Sequence, residues 1–297
     1  MHWFLSALLS SIFYARFVFV DKHIVSNKLK DYRGMPIYTT IAGVIAGTTF
    51  WVVFGFPVLS FRDAILLLLS GVFTIWAAYT YFKAISLEEA SYVNILMQTM
   101  PIFVIVSAFF FLKETISIKQ LIGFIIIFVS LLPISYKKTK KKFSFSAGFW
   151  LMIVSNIFWA ISVLLVKFAI DANSFTKILS YESWGVGIGG ALLYVIKPVR
   201  QSFHRGLRTA GVNVLTMVFL NEGMFILSKA LQFLAFATGP VALVSVVGNT
   251  QAFFGIIYGG ILTIVFPKYF HEKIQRKDFV KKILSAIGLF IGLSLLI

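Results

Sequence analysis

Between Lys229 and Lys268 the chain runs for 38 residues without a charged side chain. One helix needs only about 20 residues to cross the hydrocarbon of a bilayer. The stretch is therefore read as two spans, with Gly239-Pro240 supplying the break between them. The same reading along the chain predicts ten spans, over 3–21, 36–56, 64–83, 91–112, 119–136, 146–168, 178–197, 209–235, 240–266 and 280–297. Strands are not expected, because the apolar runs are too long for a barrel and lack its alternation. Composition agrees. Hydrophobic residues make up 59% of the chain and charged ones 13%, about half the share in a soluble domain, and mean hydropathy is +0.91. The expectation is an all-α, multi-pass membrane protein. The N-terminus lacks a basic leader and carries Arg16 within its apolar run, so it is read as a first span and not as a cleaved signal.

The net charge of +16 would suggest nucleic acid in a soluble protein. Here the basic residues sit between apolar runs, which is the pattern of loops facing anionic lipid, and no nucleic-acid partner is expected. Odd-numbered loops hold 20 Lys and Arg and even-numbered loops 6. The positive-inside rule then puts the odd loops in the cytoplasm and both termini outside. Cysteine is absent, which excludes disulfides, thiolate metal sites and thiol catalysis. There is no phosphate-binding Gly-x-x-x-x-Gly-Lys-Ser/Thr, no His-Glu-x-x-His and no supported Ser/His/Asp set. The chain is not expected to be an enzyme, to be driven directly by ATP, or to hold a metal or cofactor.

The chain also repeats itself. Ser10, Ile12, Phe13, Ala15 and Lys22 recur 145 positions later as Ser155, Ile157, Phe158, Ala160 and Lys167, with Trp159 in the place of Tyr14. Arg62 and Lys83-Ala84 recur 146 positions later as Arg208 and Lys229-Ala230, and Ile122-Gly123 returns as Ile287-Gly288. The boundaries are residues 1–137 for the first five spans, 138–146 for a basic linker and 147–297 for the second five. An odd number of spans per unit makes the units face opposite ways. The charges follow: the basic bias moves from loop 1–2 in the first unit to loop 7–8 in the second. Inverted repeats of this kind belong to secondary transporters. Gly-x-x-x-Gly pairs at Gly43/Gly47, Gly185/Gly189, Gly255/Gly259 and Gly288/Gly292 predict close helix contacts.

Tyr81 to Leu121 carries Lys83-Ala84-Ile85, a helix starting near Ala90, Pro101, and a Leu112-Lys113-Glu114 exit, with Gly123 beyond. The second copy has Ser228-Lys229-Ala230-Leu231, Gly239 to Phe254, Glu272 and Gly288, with Gln251 where a Pro is common. With these motifs the chain resembles the drug/metabolite transporter superfamily in its EamA-type ten-helix branch. The resemblance implies transport of amino acids and other small metabolites by alternating access. It also implies a central cavity lined by spans one, three, four, six, eight and nine. It further implies cytoplasmic termini, against which the charge count weighs more heavily.

Ionisable groups within spans cost about 2.5–3.5 kcal/mol each. Glu222, beside Asn221, is therefore the leading candidate to bind a proton or a substrate amine, with a structural pairing to Arg16 as the alternative. Arg16 is a candidate for a substrate carboxylate, or it snorkels with Lys22. Glu182 reads as interfacial, and Glu114 and Glu272 as helix-start residues. Neutral candidates are Asn94 and Gln98, which share a helix face, with Asn156, Asn249 and Gln251. Aromatic candidates are Trp76, Tyr79, Tyr14 and Trp159, each otherwise a packing residue.

The function expected is secondary transport, as an exporter of small metabolites, around a midplane site. A flippase for a lipid-linked group, or another lipid-handling protein, is the alternative. The expected partners are the small-molecule substrate, coupled protons and membrane lipids, in a monomer or homodimer. The expected location is a prokaryotic inner membrane.

Overall fold

A computed structural model describes residues 2–100, 102–103, 106–107, 110, 117–138, 143–169, 175–238, 244, 247–248, 250–267 and 276–296. The helices are α1 (His2–His23), α2 (Met35–Val53), α3 (Phe61–Leu87), α4 (Ala90–Met97), α5 (Ile118–Ser135), α6 (Ala147–Ala169), α7 (Phe175–Val195), α8 (Lys197–Thr209), α9 (Val212–Thr238), α10 (Gln251–Val265) and α11 (Arg276–Leu296). Among the described residues, five segments are long and apolar enough to cross a membrane: Trp3–Lys28, Met35–Val53, Phe61–Leu87, Ala147–Val166 and Val212–Gln232.

Local chemistry sets several helix starts. Ser60 caps α3 by accepting from the Asp63 amide at 3.2 Å, and Asp63 adds a carboxylate at the positive end of the helix. Ser117 and Gln120 exchange side chain-to-backbone bonds of 2.9 and 3.2 Å at the start of α5, a capping box. Ser146 caps α6 through the Phe149 amide at 3.1 Å. Pro36 and Pro198 stand in the first turns of α2 and α8, where a missing N–H costs nothing.

Two features depart from the sequence expectation. The linker is not strand-free: β1 (Tyr136–Lys138) pairs antiparallel with β2 (Phe143–Phe145), Tyr136 opposite Phe145. The segment between the seventh and eighth spans is a helix of its own. In α8, Val199, Ser202, Phe203 and Gly206 are buried at the i, i+3, i+4, i+7 spacing of one face. The exposed face carries Lys197, Arg200, His204, Arg205 and Arg208. The buried face lies on the start of α2. The Gly34 amide donates to Ser202 Oγ at 3.0 Å, the Tyr38 hydroxyl to the Phe203 carbonyl at 3.3 Å, and the two rings are 4.9 Å apart.

The principal packing is α3 on α6, α3 on α7, α5 on α11, α1 on α9 and α2 on α7, followed by α1 on α10 and α4 on α10. Glycine sets the closest approach. A Cβ on Gly71 of α3 would strike the Glu182 carbonyl of α7, and one on Gly185 would strike the Leu68 carbonyl of α3. These backbones touch because neither residue has a side chain. Gly43 and Gly47 lie on α7 residues, Gly255 on Asn94, and Gly288 and Gly292 on α5. The predicted small-residue faces are contact faces.

Candidate functional site

Helix α1 presents Ser10, Tyr14 and Asp21 toward α9, which answers with Asn221, Glu222, Phe225 and Ser228. The outer part of this seam is closed by a reciprocal pair, in which the Ser10 and Ser228 hydroxyls each donate to the other's carbonyl at 2.9 Å. Inward, the Tyr14 ring meets Phe225 at 5.5 Å and Phe17 at 6.0 Å, and Phe17 stacks on Phe225 at 4.9 Å.

Beyond these aromatics lies a cluster of polar groups. Asp21 is 0% exposed, Glu222 1% and Asn221 3%. Asp21 accepts on both oxygens, from the Tyr81 hydroxyl at 2.8 Å and from Asn221 Nδ2 at 2.9 Å. Glu222 accepts from the Thr39 hydroxyl at 2.7 Å. Four helices thus meet here: α1 with Asp21, α2 with Thr39, α3 with Tyr81, and α9 with Asn221 and Glu222. Trp159 of α6 closes one side, its ring 5.9 Å from Tyr81. Directly after Asp21 the first helix loosens into a π-helical turn, Ile24–Lys28, a local widening often found at functional positions. Lys22 turns away and donates to the Ile85 carbonyl at 2.8 Å.

Two acceptor atoms of the cluster, Glu222 Oε2 and Asn221 Oδ1, are buried without a hydrogen-bond partner. Buried polar atoms are nearly always satisfied, and an exception calls for a reason.

A second acidic position is resolved differently. Glu182 of α7, 3% exposed, forms an ion pair with Lys229 of α9 and accepts from the Thr74 hydroxyl at 3.0 Å. Thr74 in turn shares a bond with Ser162, which also meets Ser70 at 2.7 Å. Glu182 is therefore not the interfacial residue that its place near a span end suggested. Asp21 and Glu182 are as buried as Glu222.

The other expected residues divide. Asn94 accepts from Gln251 Nε2 at 2.7 Å, joining α4 to α10. Asn156 of α6 donates to the Leu96 carbonyl at 2.8 Å and the Thr99 hydroxyl at 2.7 Å, just past α4. Gln98 is buried at the end of α4. Tyr79 is half-buried, its ring 6.0 Å from that of Tyr32. Trp76 is 38% exposed and Arg16 is exposed. Arg16 points off the bundle, and the bond received by Glu222 comes from Thr39 instead. Asn249, Pro101, Gly239-Pro240, Glu114 and Glu272 lie outside the described residues.

Asp21, Thr39 and Tyr81 were missed by the sequence reading. Asp21 stands at the end of an apolar run before Lys22 and His23, so it looked like a helix-end group. A signal was nevertheless present: Asp21 is seven positions from Tyr14 and eleven from Ser10, on one helix face.

Residues 1–136 match the model of the EamA-like transporter family, which is consistent with the drug/metabolite transporter superfamily. No curated protein matches the sequence. Among 23 solved chains that match, one crystal structure is 13% identical with a TM-score of 0.53, covering 97% of this chain and 98% of its own. At that identity the likeness speaks for the fold alone. The apolar helices and the family match over residues 1–136 together support an integral, multi-pass membrane protein.

Proposed function

Proceeding from the EamA-like match over residues 1–136, we propose that this chain is a secondary transporter that exports small metabolites such as amino acids across a prokaryotic inner membrane. Two inverted five-helix halves give it alternating access. The helix pairing supports the inversion. If spans one to five correspond to six to ten, α1 on α9 becomes α6 on α3 when the halves are exchanged. The pairs α2 with α7, α4 with α10 and α5 with α11 then map onto themselves. A pseudo-twofold axis in the membrane plane produces this pattern.

The observation that carries the reading is the buried carboxylate cluster where α1, α2, α3 and α9 converge. Charged groups at such depth are retained where they face a pathway or a site. Glu222 and Asn221 contact the substrate's polar end, and Tyr14, Trp159 and Phe225 border its apolar part. The test is a substrate-library exchange assay in proteoliposomes. Purified protein should move at least one amino acid or related amine, and Glu222→Gln should abolish that movement. Unchanged transport by Glu222→Gln would remove the site from this cluster.

A further inference from the structure

We propose that the corner where α8 meets the start of α9 binds one anionic phospholipid, with its phosphate on Arg205 and Arg208 and one acyl chain along α9. The inference concerns the surface of the bundle and stands whatever the buried cluster transports.

Charge is the first observation. From residue 183 to residue 221 the chain has no Asp or Glu, yet α8 brings Lys197, Arg200, Arg205 and Arg208. All four are exposed. Arg200 is engaged with the Tyr194 ring at 6.0 Å, and the Tyr194 hydroxyl is 2.6 Å from His204 Nε2. Arg205 and Arg208 are three residues apart, so they share one patch of the helix surface. Two forks of N–H donors there suit a phosphate. The loop after α1 adds to the field. The Gly34 amide bonds Ser202, and a Cβ on Gly206 would meet Leu29, which brings exposed Lys30 and Arg33 to the same side. Asp31, 4.0 Å from Arg33, offsets part of that charge.

The apolar part follows at once in the chain, four residues after Arg208. Val212, Leu215, Thr216, Phe219 and Leu220 line a groove of about 380 Å³, on one face of α9. Eight residues of helix rise about 12 Å, against roughly 15 Å of hydrocarbon in one leaflet. Val212 is 79% and Leu220 67% exposed, so the groove opens away from the bundle. It belongs to the segment Val212–Gln232, which is apolar and long enough to cross a membrane. A soluble anion would use the arginines and leave the groove empty, and a neutral lipid would do the reverse. A phosphate joined to an acyl chain uses both. The positive-inside rule puts this side in the cytoplasm, where the leaflet carries anionic lipid.

Three rings tie the corner to the interior. Phe219, in the groove wall, meets Tyr38 edge-on at 6.3 Å, and Tyr38 meets Phe203 of α8 at 4.9 Å. The next residue of α2, Thr39, bonds Glu222. A lipid seated in the corner therefore braces the helix that walls the acidic cluster.

Native mass spectrometry of the full-length protein, delipidated in detergent, tests the site. The probes are dioleoyl phosphatidylglycerol and dioleoyl phosphatidylcholine, with glycerol phosphate as the headgroup alone. One phosphatidylglycerol should stay bound where phosphatidylcholine does not. Arg205→Gln with Arg208→Gln should weaken its retention roughly 30-fold, about fivefold for each basic side chain lost beside an anionic headgroup. Arg62→Gln with Lys119→Gln removes the same charge from other exposed positions and should leave retention unchanged. Thr216→Trp fills the groove from its exposed side and should weaken retention too. Leu220→Trp is the second such variant if the first does not purify as a single species. Retention indifferent to the arginine pair overturns the site. Retention that falls with the arginines but ignores Thr216→Trp and Leu220→Trp shows a diffuse charged surface, and overturns it as well. Displacement by an equal concentration of glycerol phosphate identifies a soluble anion instead, and a dimer that phosphatidylglycerol does not dissociate identifies a second copy of the chain. Either result overturns the lipid. Thermal unfolding reads the bracing: phosphatidylglycerol should raise the midpoint of the parent above that in phosphatidylcholine and leave the arginine variant unmoved. Equal midpoints for the parent in the two lipids overturn the bracing.

Discussion

Glu182 and Glu222 are both buried, on two helices of the second half of the chain, and they are treated in opposite ways. Glu182 meets the ammonium of Lys229 and the hydroxyl of Thr74, which is itself bonded to Ser162. Glu222 meets one hydroxyl and lies beside a second acid held by Asn221. Compensated charge ties helices together, whereas uncompensated charge stays available for something that arrives and leaves. The Glu182–Lys229 pair therefore reads as architecture and the Asp21–Glu222 pair as a site.

The contrast is sharpest when each site is stripped of a partner. Lys229→Met should leave Glu182 buried and unpaired, at a cost of about 3 kcal/mol. That is the low end for a broken buried pair, because the Lys229 side chain is 23% exposed. Thermal unfolding in detergent reads this, and adding Glu182→Met should recover most of the loss. If Lys229→Met unfolds like the parent, the pair is not structural and the comparison fails. Tyr81→Phe comes next. Removing the hydroxyl donor to Asp21 should cost about 2 kcal/mol, the range for hydrogen bonds to charged groups.

Thr39→Val removes the bond to Glu222 Oε1 and should cost about 1 kcal/mol, as interhelical hydrogen bonds in bilayers do. It should also shift the pH dependence of transport, which a purely structural threonine would not do. Glu222→Gln should change stability by less than about 1 kcal/mol, since the amide keeps the Thr39 acceptor and brings a new donor. Transport should be lost while the protein stays folded, the reverse of what Lys229→Met does. Smallest of all, Arg16→Gln should alter stability by about 0.5 kcal/mol or less, as exposed substitutions do.

Most of the scaffold is visible in the chain as a string. Apolar runs mark the helices, and glycines four apart mark contact faces that are filled by neighbouring backbones or short side chains. The recurrence of Ser10 and Ser155 anticipates two buried seryl contacts, with Ser228 and with the Ala77 carbonyl. The site is less visible, because its residues break the repeat. At the repeat offsets Glu222 corresponds to Trp76, and Asp21 to Val166. Their partners are also remote: Asn221 is 200 residues from Asp21, and Lys229 is 47 from Glu182. A polar residue near a helix end looks solvated until the helix covering it is known. The α8 helix escaped for a related reason. Its charges dominate its composition, and the face that packs holds only Val199, Ser202, Phe203 and Gly206.

The glycine contact between α3 and α7 has a mechanical consequence. Side chains that interdigitate can ratchet past one another, but touching backbones have no such slack, so sliding lifts both helices off their contact. Gly71 and Gly185 weld an element of the first repeat to an element of the second. Any opening and closing of the bundle must carry α3 and α7 together, and the joint that bends runs elsewhere, along seams lined by side chains such as that between α1 and α9. The bodies that move are then composites drawn from both halves of the sequence, so chain order is not the map of the machinery.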